Sequence, residues 1–98
     1  MELPFTGEVW RWKGESPWHF VTLPLEAADE IRDQAAGVPR GFGSVRVRAT
    51  IGATVWSTSV FPDKHSGSFI LPLKKDVRDS EGIDEGDRIQ GFIEPLVS

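Results

Sequence analysis

The sequence predicts a mainly β chain, a small six-stranded barrel, closed or partly open, with one short α-helix and one helical turn. Three observations carry this class. In Gly43 to Pro62, Val45, Val47, Ala49 and Ile51 alternate with Ser44, Arg46, Arg48 and Thr50, the period-two pattern of a strand with one buried and one wet face. Gly52 then turns the chain into a second β-rich run, Thr54 to Phe61, so the pair reads as a hairpin. Most other strand-like runs are also joined by turns rather than by helices, which argues against βαβ winding. Six short strands in 98 residues must close on themselves or stack to hide their edges.

Taken in order, Phe5 to Trp12 is the first strand. Phe5, Gly7, Val9 and Arg11 share one face, and Thr6, Glu8, Trp10 and Trp12 the other. Lys13 to Pro17 (KGESP) is a turn cluster. Trp18 to Leu23 (WHFVTL) is a second strand, rich in aromatic and β-branched residues; the short turn makes the two a hairpin. Pro24 ends it and opens a helix at its first position, where a missing N–H does no harm. Leu25 to Ala36 is that helix, with Leu25, Ala28, Ile31 and Ala35 on one face and Glu26, Asp29 and Glu30 near its positive end. The N-terminus lacks a capping side chain, so the helix depends on its narrow apolar stripe. Gly37 is placed to end it.

Val38 to Gly43 links the helix to the central hairpin. Pro62 to Gly67 is a loop, and Ser68 to Leu73 (SFILPL) a fifth strand. Lys74 to Ser80 is the helical turn, with Leu73 and Val77 as its one apolar i, i+4 pair. Gly82 to Asp87 is a tight turn, and Arg88 to Leu96 the last strand. There is no internal repeat or low-complexity tract, so residues 1–98 read as a single domain.

Bulk composition sets limits. Hydrophobic residues make up 39 %, with four Trp and six Phe, enough for one core and too many for disorder. The absence of cysteine removes disulfides, thiol chemistry and thiolate zinc sites. No basic stretch precedes an apolar run at the N-terminus, and no window approaches the ~18 apolar residues of a spanning helix. A cytoplasmic protein with no membrane partner is therefore expected. Eleven basic against fifteen acidic residues give a net charge of −4, which argues against a whole-domain footprint for nucleic acid.

An ordered set of segments carries a resemblance. Phe5 to Trp10 (FTGEVW), Trp18 to Pro24 (WHFVTLP), Val45 to Gly52 (VRVRATIG), Trp56 to Ser59 (WSTS), Gly67 to Arg78 (GSFILPLKKDVR) and Gly82 to Asp87 (GIDEGD) follow one another. Together they resemble a bacterial and archaeal family known only as a domain of unknown function, number nineteen-oh-five, often found before a bacteriocin-protection or OmpD-associated segment. The resemblance spans nearly the whole chain. It implies a barrel similar in outline to the double-split barrels of bacterial transition-state regulators, and it transfers no catalytic or cofactor residue. Since the chain ends at Ser98, soon after the last strand, it also implies a form without the second segment.

Candidate chemistry is sparse. On the second strand of the central hairpin, Trp56 and Thr58 share a face, and hydroxyls beside an indole suit a polar ligand at a barrel mouth. Arg46 and Arg48 lie on the wet face of the preceding strand, while Lys74, Lys75 and Arg78 cluster after the fifth. If folding gathers them they form an anion site, Lys74 and Arg78 being one helical turn apart; otherwise they are solvated cations paired with the abundant acids. Asp63, His65 and Ser66 have the types of a hydrolytic triad but are crowded in one loop, without a nucleophile elbow. His19 and His65 lack metal-ligand spacing, and the acids from Asp76 to Asp87 do not fit a calcium loop. No metal, cofactor or catalytic role is expected. Trp10, Trp12 and Trp18 read first as core and second as an exposed aromatic face.

The expectation that follows is a non-enzymatic module binding a small anionic or aromatic ligand through Trp56, Thr58, Arg46, Lys74 and Arg78. A protein-interaction or homodimerisation module is the alternative, motivated by the Trp-rich first strands. DNA binding ranks third. It rests on fold analogy and on Ile83-Asp84-Glu85-Gly86-Asp87, which resembles a pattern recurring in the regulator barrels.

Overall fold

The computed structural model describes residues 2–15, 17–36 and 43–96. Six strands, β1 (Leu3–Arg11), β2 (His19–Thr22), β3 (Val45–Ile51), β4 (Thr54–Asp63), β5 (Ser68–Pro72) and β6 (Arg88–Pro95), and two helices, α1 (Leu25–Ala35) and α2 (Lys75–Glu81), make up the fold. The strands close into an antiparallel barrel in the order β1-β2-β5-β4-β3-β6, which removes every sheet edge but short local ones. Gly37, Ser16 and residues 38–42, read from sequence as helix stop, turn and linker, lie outside the described residues.

The alternation seen in the sequence is the inside–outside alternation of the wall. Val9, Val21, Val45, Val47, Val60, Leu71 and Ile93 point inward and are fully buried. Val9 sits opposite Val21, Val45 opposite Val60, and Ala49 opposite Ile93, so apolar pairs repeat round the ring. Gly52 and Ala53 form a two-residue turn with Gly52 at φ 58°, the left-handed conformation such hairpins need. Strand ends differ slightly from expectation: β1 begins at Leu3 and β4 runs through Asp63.

Two helix expectations are corrected. The buried stripe of α1 is Ala27, Ala28, Ile31 and Ala35, while Leu25 is 58 % exposed. At 3.6 residues per turn, Leu25 projects about 60° beyond Ala28, on the solvent flank, and Ala27 takes the opposite border of the stripe. Pro24 is the cap rather than the first helical residue, extended at ψ 153°, with its carbonyl accepting from the Ala28 N–H. In α2, Val77 is buried and Gly82 ends the helix in the left-handed region at φ 63°, as a C-terminal glycine should.

The tryptophans also depart from the core reading. Trp12 and Trp18 are 53 % and 56 % exposed. They flank the last β1–β2 pair, Arg11 with His19, and are joined by a backbone hydrogen bond from Trp12 to Trp18. Trp10 lies on the outer wall, half-buried, packed on Phe20 at 5.0 Å between ring centres and donating from Nε1 to the Thr22 hydroxyl at 3.0 Å. The interior is already filled by branched aliphatics with Phe5, Phe69 and Trp56, so Trp10, Trp12 and Trp18 cover the outside.

Candidate functional site

The β4–β5 seam is where the wall opens. Three residue pairs join these strands: Asp63 with Ser68, Pro62 with Phe69, and Phe61 with Ile70. Beyond Ile70 the strands part. The Leu23 N–H donates to the Phe69 carbonyl and the Leu73 N–H to the His19 carbonyl, so residues 69, 71 and 73 aim their backbone groups at β2. Those of residues 70 and 72 therefore aim at β4. Residue 72 is proline, which has no N–H to give. The ladder stops there, and the chain leaves the wall to enter α2.

The parting leaves a cleft of about 490 Å³ between β4 on one side and Pro72 to Arg78 on the other. All five residues singled out from the sequence line it: Arg46, Trp56, Thr58, Lys74 and Arg78. Trp56 is the buried floor, at 8 % exposure, and Thr58 lies two residues on along the same face. Arg46, opposite Ser59 in the β3–β4 ladder, donates from Nη1 to the Ser59 hydroxyl at 3.4 Å. Arg78 donates from Nε to the Leu73 carbonyl at 3.1 Å, which fixes its stem at the cleft. Lys75 also lines the cleft but is engaged with Asp79 at 2.7 Å. Arg48 is not part of it: it faces β6 and pairs with Glu94 at 2.8 Å.

Electrostatically the cleft runs against the rest of the molecule. Four of its lining residues are cations and none is an acid, in a chain of net charge −4. Sequence reasoning missed its aromatic wall, formed by Trp18 and Phe61, and the part played by Pro72. The latter had a signal, since a proline inside an otherwise strand-like run marks an edge or an interruption. A second recess, about 470 Å³, lies beside Trp12, Glu15, Trp18 and Phe20, with Trp18 forming part of both walls.

The other motifs have structural work. In the 64–67 turn, the Asp63 carboxylate accepts from the Ser66 N–H at 3.2 Å and the Ser66 hydroxyl from the Ser68 N–H at 3.2 Å. Both groups thus serve the turn. His19 Nδ1 lies 2.9 Å from the Pro17 carbonyl oxygen, a contact at the start of the strand in which the carbonyl accepts. No group of three or more metal-ligating side chains occurs among the described residues. In the acidic turn, the Asp87 carboxylate accepts from the Asp84 N–H at 2.8 Å while Ile83 is buried. Asp79 is held below the ordinary carboxylate range by the hydrogen bond from Lys75, with the charges of Lys75 and Arg78 adding to it.

No curated protein matches the chain. The sequence model of one family does match, over residues 5–91, which takes in every strand and both helices in whole or in part. That family is described as a domain of unknown function, and the chain belongs to it: DUF1905.

Proposed function

We propose that this domain is a non-enzymatic binding module whose β4–α2 cleft takes a small ligand with an anionic group and a flat, apolar body. The observation that supports it most is the charge segregation: four cations and no acid around one opening on a net-acidic chain. Arg46, Lys74 and Arg78 supply donors for carboxylate or phosphate, and Trp56, Trp18 and Phe61 supply a wall for a ring. The cleft volume falls in the range of small-molecule sites. A cytoplasmic setting without catalysis belongs to the same reading, and no described helix is long and apolar enough to cross a membrane.

Native mass spectrometry of gently purified protein tests this first, because a co-purified ligand would appear as a mass lost on denaturation. Amide NMR titrations with benzoate, indole-3-acetate and inorganic phosphate follow. Binding should shift Ser57 to Ser59 and Lys74 to Arg78, and Arg46→Ala or Lys74→Ala should weaken it about tenfold, as expected for loss of a charge-assisted hydrogen bond. No bound mass and no shift with any probe would overturn the reading.

A second reading, a protein-interaction or homodimerisation surface, is favoured by one observation: Trp12 and Trp18 stand exposed side by side over the second recess. Sedimentation of the wild type against Trp12→Ala/Trp18→Ala tests it. A monomer with no captured partner counts against it. Regulator-like DNA binding is tested by a gel shift at low salt, whose absence would remove it.

A further inference from the structure

The cleft holds more than side chains. The hairpin turn makes Ile51 and Thr54 a hydrogen-bonded pair, and bonding then alternates along the β3–β4 ladder. The Leu96 N–H donates to the Arg46 carbonyl, which fixes the same phase independently: even-numbered residues of β3 face β6, and odd-numbered ones face β4. Thr54, Trp56, Thr58 and Val60 therefore spend their backbone groups on β3. Val55, Ser57 and Ser59 aim theirs the other way, toward the side from which β5 has departed. Among the described residues, no strand is paired with β4 there, and no other backbone hydrogen bond reaches these three. Within an otherwise closed barrel, a short strand edge remains open; its Ser57 to Ser59 part forms one wall of the cationic cleft, while next to Val55 the Thr54 hydroxyl donates to Glu81 of α2 at 2.6 Å.

From this juxtaposition we infer that the cleft binds an extended acidic peptide segment of a partner protein, which adds a strand to β4 at Ser57 to Ser59. The inference rests on the anion-binding part of the reading of the same cleft and puts a peptide's carboxylates in place of a small molecule's. Strand addition to an exposed edge draws affinity from main-chain hydrogen bonds and specificity from the surrounding side chains. Here the side chains are Arg46 beside the edge and Lys74 and Arg78 across from it, which select carboxylates by charge. An open edge on a soluble domain is a hazard that is usually blocked. Pro72 keeps β5 from blocking this one. At about 3.3 Å per residue the edge accommodates roughly three to five residues.

The test uses the full chain and two blocked peptides, acetyl-Glu-Val-Glu-Val-Glu-amide and its Lys-for-Glu counterpart, followed by tryptophan fluorescence and amide NMR. The acidic peptide should bind and the basic one should not. Two N-methylated forms of the acidic peptide, methylated on alternate amides, then separate pairing from charge. Methylation on the set facing β4 should weaken binding about tenfold or more, the loss of one or two backbone hydrogen bonds, and methylation on the other set should not. Ser57→Pro, which removes an N–H from the open edge but none from the β3 ladder, should weaken the peptide while thermal unfolding shows the barrel intact. If both methylated forms bind like the parent while Arg46→Ala weakens all of them, strand pairing is overturned and the anion reading survives. If neither the acidic peptide nor benzoate binds, both fall. A dimer of the protein alone that Ser57→Pro dissolves would assign the edge to a second copy and overturn the proposal.

Discussion

Gly91→Ala should be among the most damaging single-methyl changes available in this barrel. Gly91 lies in β6 opposite Phe5 of β1, on the inward-facing register of that strand, and its φ is not positive. The demand for glycine there is steric rather than conformational. A Cβ would fall inside contact distance of the Thr50 carbonyl oxygen, and at 3.0 Å from the Phe5 ring and 3.1 Å from Ile51 Cγ1. The first of these is backbone of β3 and moves only if the wall moves. Overpacking of this kind costs typically about 1–3 kcal/mol; contact with backbone puts it near the upper end. The loss of unfolded-chain entropy returns about 0.4–1 kcal/mol. A net destabilisation of about 2 kcal/mol lowers the melting temperature by roughly 8–16 °C for a domain of this size. Circular dichroism melts and urea unfolding measure it, with an unchanged urea slope expected. Gly67→Ala is the control: Gly67 has φ 74° and open space around it, so only the left-handed backbone penalty of about 1–2 kcal/mol applies. A Gly91→Ala melting point within about 2 °C of the wild type would refute the argument that β3 and β6 approach too closely for a side chain.

Other expectations follow from single contacts. Ser68→Ala removes a buried hydroxyl that donates to the Leu23 carbonyl at 2.7 Å, and should cost about 1–3 kcal/mol in urea unfolding by leaving that carbonyl unpaired; an unchanged midpoint would show that water replaces the bond. Lys75→Met should return the Asp79 titration upward, read by carboxyl NMR. Because folding lowers that pKa, its small stabilising contribution is present above the ordinary carboxylate value and fades as pH falls through the lowered one; a titration that does not move would remove Lys75 as the cause. Arg48→Met should change stability by no more than about 1 kcal/mol, since its pairing with Glu94 is solvent-exposed, and a larger loss by thermal melting would contradict that.

Much of this fold was legible because a barrel wall writes its two faces into the sequence. Val45 to Ile51 and Thr54 to Phe61 could be read residue by residue, and the observed pairing keeps that phase. Leu25 was misread because periodicity gives a stripe to within one flanking position, and the barrel surface decides which flank is covered. Trp12 and Trp18 were misread because hydrophobicity does not say whether an interior is already full. The cleft was half legible: its charged and aromatic residues stood out by type, but that they converge depends on where β5 leaves the wall. Pro72 marks that departure locally, while the fact that its missing N–H lies on the β4 side follows only from the hydrogen-bond phase of the folded strands.

The ring order has a consequence for how the chain reaches this state. In chain order the last strand of the barrel, β6, lies between β1 and β3, with Ile93 opposite both Leu3 and Ala49. Until it is inserted, β1 and β3 each present a bare flank, and β1 must wait for a strand more than 75 residues further along the chain, Arg11 to Arg88. Loop-closure entropy makes such pairings slow. The β3–β4 hairpin, closed by a two-residue turn and joined by seven residue pairs, can form early and alone; β6 then acts as a keystone whose arrival completes the ring in one cooperative step. Interrupted synthesis or truncation before Arg88 would thus leave two adhesive flanks exposed at once, the condition under which small β proteins aggregate.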